Sequence, residues 1–149
     1  SVAVKVKESF VAAGHPVITV QHIATKPNST FFLPGTTGAE VHESLTPSER
    51  EQLIVKHFPN SFRETNLLEL LNSLEVTDLT VVGMMTHMCI DTTVRAASDL
   101  GFKVELIEDA CATRNLTHAG LTVSAAEVQA AYLAALDGSF ATVRRWADK

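Results

Sequence analysis

Apolar residues along this chain fall in short, nearly continuous runs separated by stretches of helical spacing. Val17-Ile18-Thr19-Val20, after Pro16, predicts a strand, and Leu53-Ile54-Val55 predicts another ending at Lys56. Leu79-Thr80-Val81-Val82, Lys103 to Ile107 and Phe140 to Val143 predict three more. The runs are largely unbroken rather than alternating, which is the pattern of strands covered on both faces. Between them, Val2 to Gly14 brings Val4, Phe10 and Val11 onto or near one helical face. Glu64 to Leu74 carries Leu67, Leu68, Leu70 and Leu71, Met88 runs helically to about Leu100 before Gly101, and Val123 to Leu136 ends near Gly138. Strands alternating with helices predict an α/β fold, doubly wound, with a mainly parallel sheet.

From Ile23 to Gln52 the periodicity lapses for about thirty residues, a length that in a compact domain marks a functional or disordered loop. This stretch holds Pro27, Pro34, Gly35, Gly38 and Pro47, but also the pair Phe31-Phe32, whose rings argue against simple disorder. The loop is expected either to pack over a sheet edge or to line a pocket.

The segment Gly83-Met84-Met85-Thr86-His87-Met88-Cys89 joins the Leu79 strand to the following helix and ends in a cysteine. A strand, a tight turn and a helix place Cys89 at a strand's carboxyl end, where open α/β sheets hold their ligands. Thiols at helix starts lie beside unpaired N–H groups and the positive end of the helix dipole, and ionise more easily there. The alternative is that Cys89 is a small buried hydrophobe, as most free cysteines are.

Composition narrows the function classes. At 149 residues the chain is about one domain, and 46% hydrophobic with 19% charged residues describes a soluble globular protein. A formal charge of -5 without a basic stripe argues against a nucleic-acid partner. No apolar run reaches the roughly 20 residues that cross a bilayer, and no signal peptide opens the chain, so a membrane role is not expected. Two cysteines, Cys89 and Cys111, allow at most one disulfide and are not a Cys-x-x-Cys pair, so reduced thiols in a cytoplasm are expected and a redox enzyme is not.

Four segments in order carry a resemblance: Phe32-Leu33-Pro34-Gly35-Thr36-Thr37-Gly38-Ala39-Glu40; Val55-Lys56-His57-Phe58-Pro59-Asn60-Ser61-Phe62 with Thr65-Asn66-Leu67; Gly83 through Cys89 with Asp91-Thr92-Thr93; and Asp109-Ala110-Cys111-Ala112. Together they resemble the isochorismatase-like cysteine hydrolases, across most of the chain. The resemblance implies a three-layer α/β/α fold with a six-stranded sheet. It implies that Cys89 is a nucleophile forming a thioester, with Lys56 beside the thiolate and favouring its charged form. It also implies a cis peptide bond between Met84 and Met85, with the N–H groups of Met85 and Cys89 aimed at the developing oxyanion. Thr86 would brace the turn by local hydrogen bonding. Phe31, Phe32, Phe62, Met84, His87 and Met88 are candidate pocket walls, set against ordinary roles in the core, in a cap or at the surface.

Two features depart from the family pattern. Relatives carry an aspartate at the end of their first strand as general base, whereas this sequence opens within the helix that would follow it, so a single domain lacking that strand is expected. A fragment of a longer protein and a natural short form are the competing accounts. Asp91, Asp109 and Glu40 are not expected to substitute as the base. The nicotinamidase branch holds a metal with an aspartate and histidines after the second strand; here Gln21-His22-Ile23-Ala24-Thr25-Lys26-Pro27 offers one histidine, so neither metal nor cofactor is expected. Relatives that hydrolyse isochorismate lack a cysteine at this position, so the expectation is cleavage of an amide, carbamoyl or ureido C–N bond of a small molecule. A non-catalytic binding or oligomerisation module is the rival. A homo-oligomer, dimer or tetramer, is expected from the family, with the Ala-rich helix Ser124 to Leu136 as its candidate contact surface or as ordinary sheet packing.

Overall fold

The computed structural model describes residues 1–148, which divide into two compact units: residues 4–75, and residues 76–148 together with 1–3.

In the first unit, helix α1 (Val2–Ala12) leads to strand β1 (Ile18–His22), which pairs in parallel with β2 (Gln52–Lys56), Ile18 opposite Gln52 and His22 opposite Lys56. The buried face of α1 carries Val6, with Val4 and Phe10 half-buried, while Val11, expected on or near that face, is exposed. Lys7 draws α1 onto the loop chain: its ammonium donates to the carbonyl of Thr46 at 2.7 Å and pairs with Glu51 at 3.2 Å. Helix α2 (Leu67–Ser73) starts later than the leucine spacing predicts, because Glu64 takes a left-handed conformation (φ 55°). The Thr65 hydroxyl then accepts the N–H of Leu67 at 3.3 Å, and the helix begins there. The aperiodic loop is stapled at three points. Gln21 donates to the Ala39 carbonyl (2.7 Å), the Ala24 N–H to Phe32 (2.8 Å), and Lys7 to Thr46, so its backbone polar groups are held without strands or long helices.

The second unit is built on three parallel strands in the order β3 (Asp78–Met84), β4 (Lys103–Ala112) and β7 (Thr142–Arg144). Helix α3 (Asp91–Asp99) connects β3 to β4, and α4 (Ala125–Leu136) precedes β7. Leu106, Ile107, Val94 and Leu136 are fully buried and form the centre of this unit. The predicted helix from Val123 and strand from Phe140 both begin later in the structure. Val123 lies in a hairpin, β5 (Leu116–His118) with β6 (Leu121–Val123), whose turn residues Ala119 and Gly120 both have positive φ. Phe140 and Ala141 instead return their N–H groups to the Leu136 carbonyl, closing α4 before the strand starts. The fold class is α/β with parallel strands, and among the described residues no helix is long and apolar enough to cross a membrane.

Candidate active site

The turn after β3 is shaped by its residues one at a time. Gly83 takes φ 133°, a conformation that side chains with a Cβ rarely adopt, and a Cβ there would meet Ile90 Cδ1 at 3.5 Å. The Met84–Met85 peptide bond is cis. The chain then winds into one π-helical turn, Thr86–Ile90, before continuing as α3. The Met85 carbonyl accepts from the N–H of Met88 at 3.0 Å and of Ile90 at 3.3 Å, which widens the first turn. Such π turns recur at functional sites. Cys89 sits on this turn as a free, half-buried thiol, with Met85, His87 and Met88, also half-buried, around it in sequence, while Met84 is 61% exposed.

His87 is oriented by a 2.6 Å hydrogen bond between Nδ1 and the Thr113 hydroxyl, with the Tyr132 ring edge-on at 6.2 Å. Burial, with the Arg114 guanidinium nearby, lowers the His87 imidazole below its usual range, so it is neutral at pH 7. Thr86 is fully buried. Its hydroxyl lies 2.7 Å from Gln129 Oε1 on α4 and 3.2 Å from the Ala112 carbonyl on β4. Thr86 therefore braces the turn through residues far along the chain, not through the local bonds its position suggested.

Cys111 pairs with Gly83 in the β3–β4 ladder. Burial pushes its thiol up to about 11, and Asp109 adds to the rise against a hydrogen bond from the Gly83 backbone, so Cys111 stays protonated at neutral pH.

The remaining predicted residues belong to the first unit. Lys56, the last residue of β2, is 3% exposed, which rules out an ordinary surface lysine. Its ammonium donates to the carbonyls of Phe58 (3.0 Å) and Pro59 (2.6 Å). His22, opposite Lys56 in the ladder, stacks obliquely on Phe32 at 5.2 Å, and Phe32 meets Phe31 edge-on at 5.2 Å. Burial first, then Lys56 and His57, lower the His22 imidazole below its usual range. Phe62 is half-buried, its N–H on Asn60 Oδ1 at 2.9 Å. The three carboxylates set aside as bases stand otherwise engaged or in solvent: Asp91 pairs with Arg95 at 2.9 Å, Asp109 accepts the Trp146 N–H at 3.0 Å, and Glu40 is exposed. Among the described residues, no three His, Cys, Asp or Glu side chains cluster to hold a metal ion.

Sequence reasoning missed Gln129. It lies on the stripe of α4 that also carries Val128, Tyr132, Leu133 and Leu136, and a glutamine on such a stripe is the signal that could have found it.

Parallel strands with a half-buried thiol on the turn beyond a strand's carboxyl end define a class of α/β proteins that keep their chemistry at that end of the sheet. The isochorismatase domain model matches residues 1–148. The chain is 47% identical to an isochorismatase family protein of Bacillus subtilis, YddQ, over 95% of this chain and 79% of that protein. A crystal structure from Oleispira antarctica, assigned to the isochorismatase hydrolases, superposes with a TM-score of 0.92 at 43% identity, covering 97% of this chain and 76% of that one. A streptothricin hydrolase of Streptomyces noursei is 39% identical over 83 residues, 56% of this chain and 30% of that enzyme. The chain belongs to the isochorismatase family, a family of hydrolases.

Proposed function

We propose that this protein is a cysteine hydrolase that cleaves the C–N bond of a small carboxamide, carbamoyl or ureido compound. The observation that carries the reading is the half-buried thiol of Cys89 on the π turn beyond β3. The thiolate sulfur attacks the carbonyl carbon, and the N–H groups of Met85 and Cys89 stabilise the oxyanion. Collapse of that intermediate breaks the C–N bond; the amine leaves with a proton and a thioester remains on Cys89. Water then adds to the thioester carbon, releases the acid and restores the thiol. Similarity to a named streptothricin hydrolase supports hydrolysis as the reaction class. Lys56 takes its role of favouring the thiolate from the resemblance; Lys56→Met is expected to slow alkylation of Cys89.

The test is a panel of small amides, carbamoyl and ureido compounds assayed with full-length protein and its Cys89→Ala variant. At least one compound is expected to turn over, and Cys89→Ala to reduce that turnover by 10³-fold or more, on the order seen when a covalent nucleophile is removed. Turnover retained by Cys89→Ala discards the reading.

A further inference from the structure

We infer that Gln129 is a positioning residue for the turn that carries Met85 and Cys89, a role whose catalytic consequence rests on the thiol chemistry proposed above. Thr86 opens the π turn, is fully buried, and has one hydroxyl proton facing two acceptors, Gln129 Oε1 at 2.7 Å and the Ala112 carbonyl at 3.2 Å. The orientation of the Gln129 amide follows from its other end. Nε2 lies 3.3 Å from the Glu108 carbonyl, which can only accept, so the NH₂ group faces Glu108 and the oxygen faces Thr86. The Thr86 proton therefore goes to the nearer acceptor. A relay results, from the Thr86 hydroxyl to the Gln129 oxygen and from the Gln129 nitrogen to the Glu108 carbonyl, tying the turn to α4 and β4.

Glu108 lies between Leu106 and Cys111, the stretch of β4 where pairing with β3 shifts register. Within that irregular stretch the Glu108 carbonyl accepts from a side chain of α4. Gln129 shares its stripe of α4 with Val128 and Leu133, both buried. An amide placed there costs desolvation unless both ends are bonded, as they are here. A second residue of the same helix face, Tyr132, puts its ring edge against His87 of the turn, so α4 supports the turn at two adjacent places.

Thr86 stands between the two backbone donors assigned to the oxyanion. Displacement of such donors by about 1 Å costs on the order of 10²-fold in rate. Alkylation of Cys89 by iodoacetamide is displacement at a saturated carbon and forms no oxyanion, so it reads the thiol without reading the donors.

Amide turnover and iodoacetamide alkylation are to be measured on full-length protein carrying Gln129→Leu, Thr86→Val, both together, and Thr86→Ser. Gln129→Leu and Thr86→Val are each expected to lower kcat about ten- to hundred-fold with KM changed little. The double variant is expected to be no worse than either single one, Thr86→Ser to stay within a few-fold of the parent, and Cys89 alkylation to stay within about two-fold throughout. Unchanged kcat in both single variants, or additive losses, overturns the role of Gln129. Parallel loss of kcat and alkylation also overturns it, by making the contact merely structural. Should Gln129→Leu not fold, Gln129→Met, which keeps the length of the side chain and loses both hydrogen bonds, gives the same decision. Failure of the hydrolase reading itself is separate: it shows as turnover that survives Cys89→Ala.

Discussion

Cys89 and Cys111 differ in surroundings more than in exposure. Cys111 is locked into the β3–β4 ladder and pushed up to about 11 by burial, whereas Cys89 stands on the π turn beyond the strand. Iodoacetamide at pH 7.5, read by peptide mass spectrometry, is therefore expected to label Cys89 at least tenfold faster than Cys111, since only the thiolate reacts. Equal, slow labelling would contradict this. Cys89 was legible as a candidate from its type and its place on a turn beyond a strand, whereas Lys56 was singled out only through the family resemblance. The partners that hold Thr86 were not legible. The Ala112 carbonyl and Gln129 lie 26 and 43 residues from Thr86, and no local pattern reports a contact at that separation.

Among the elements, α4 owes its start to a complete capping box: Ser124 accepts the Glu127 N–H, and Glu127 accepts the Ser124 N–H at 2.9 Å. Ser124→Ala is expected to cost about 1 kcal/mol, read as a lower urea midpoint with an unchanged slope. The apolar runs located β1 to β4, although one face of β2 is open to solvent at Leu53 and Val55. Elements set by single residues were harder to read. The β5–β6 hairpin turns on Ala119-Gly120 rather than the Asn-Gly or Asp-Gly that signals a two-residue turn, and its arms are only three residues each. The π turn is invisible to a 3.6-residue period, since its widening comes from the doubly accepting Met85 carbonyl. The late start of α2 follows from the left-handed Glu64, a conformation that residue type does not announce.

For the whole molecule, the second unit's core rests on side chains with no exposed surface, and Leu106→Ala is expected to cost about 2–5 kcal/mol in urea unfolding. Between pH 7.5 and pH 5.5 acidity is expected to act through His22 and His87, both lowered below the usual 6.5 by burial first. Below pH 6.5 the unfolded chain takes up protons that the folded chain refuses, so stability is fully present above that value and falls as pH drops toward the folded-state values. The thermal midpoint is expected to fall from pH 7.5 to pH 5.5, and less steeply in a His22→Gln, His87→Gln double variant. An equal slope in the two proteins would assign the acid sensitivity elsewhere.

In the proposed reaction Cys89 forms a covalent bond to the acyl group of an amide. Its most direct measurement is acid quenching of full-length protein during turnover of an amide from the panel, followed by mass spectrometry of the Cys89 peptide. An added mass equal to the acyl group is expected, removable by hydroxylamine and absent from Cys89→Ala. Steady turnover with an unmodified Cys89 peptide, undiminished in Cys89→Ala, would contradict it.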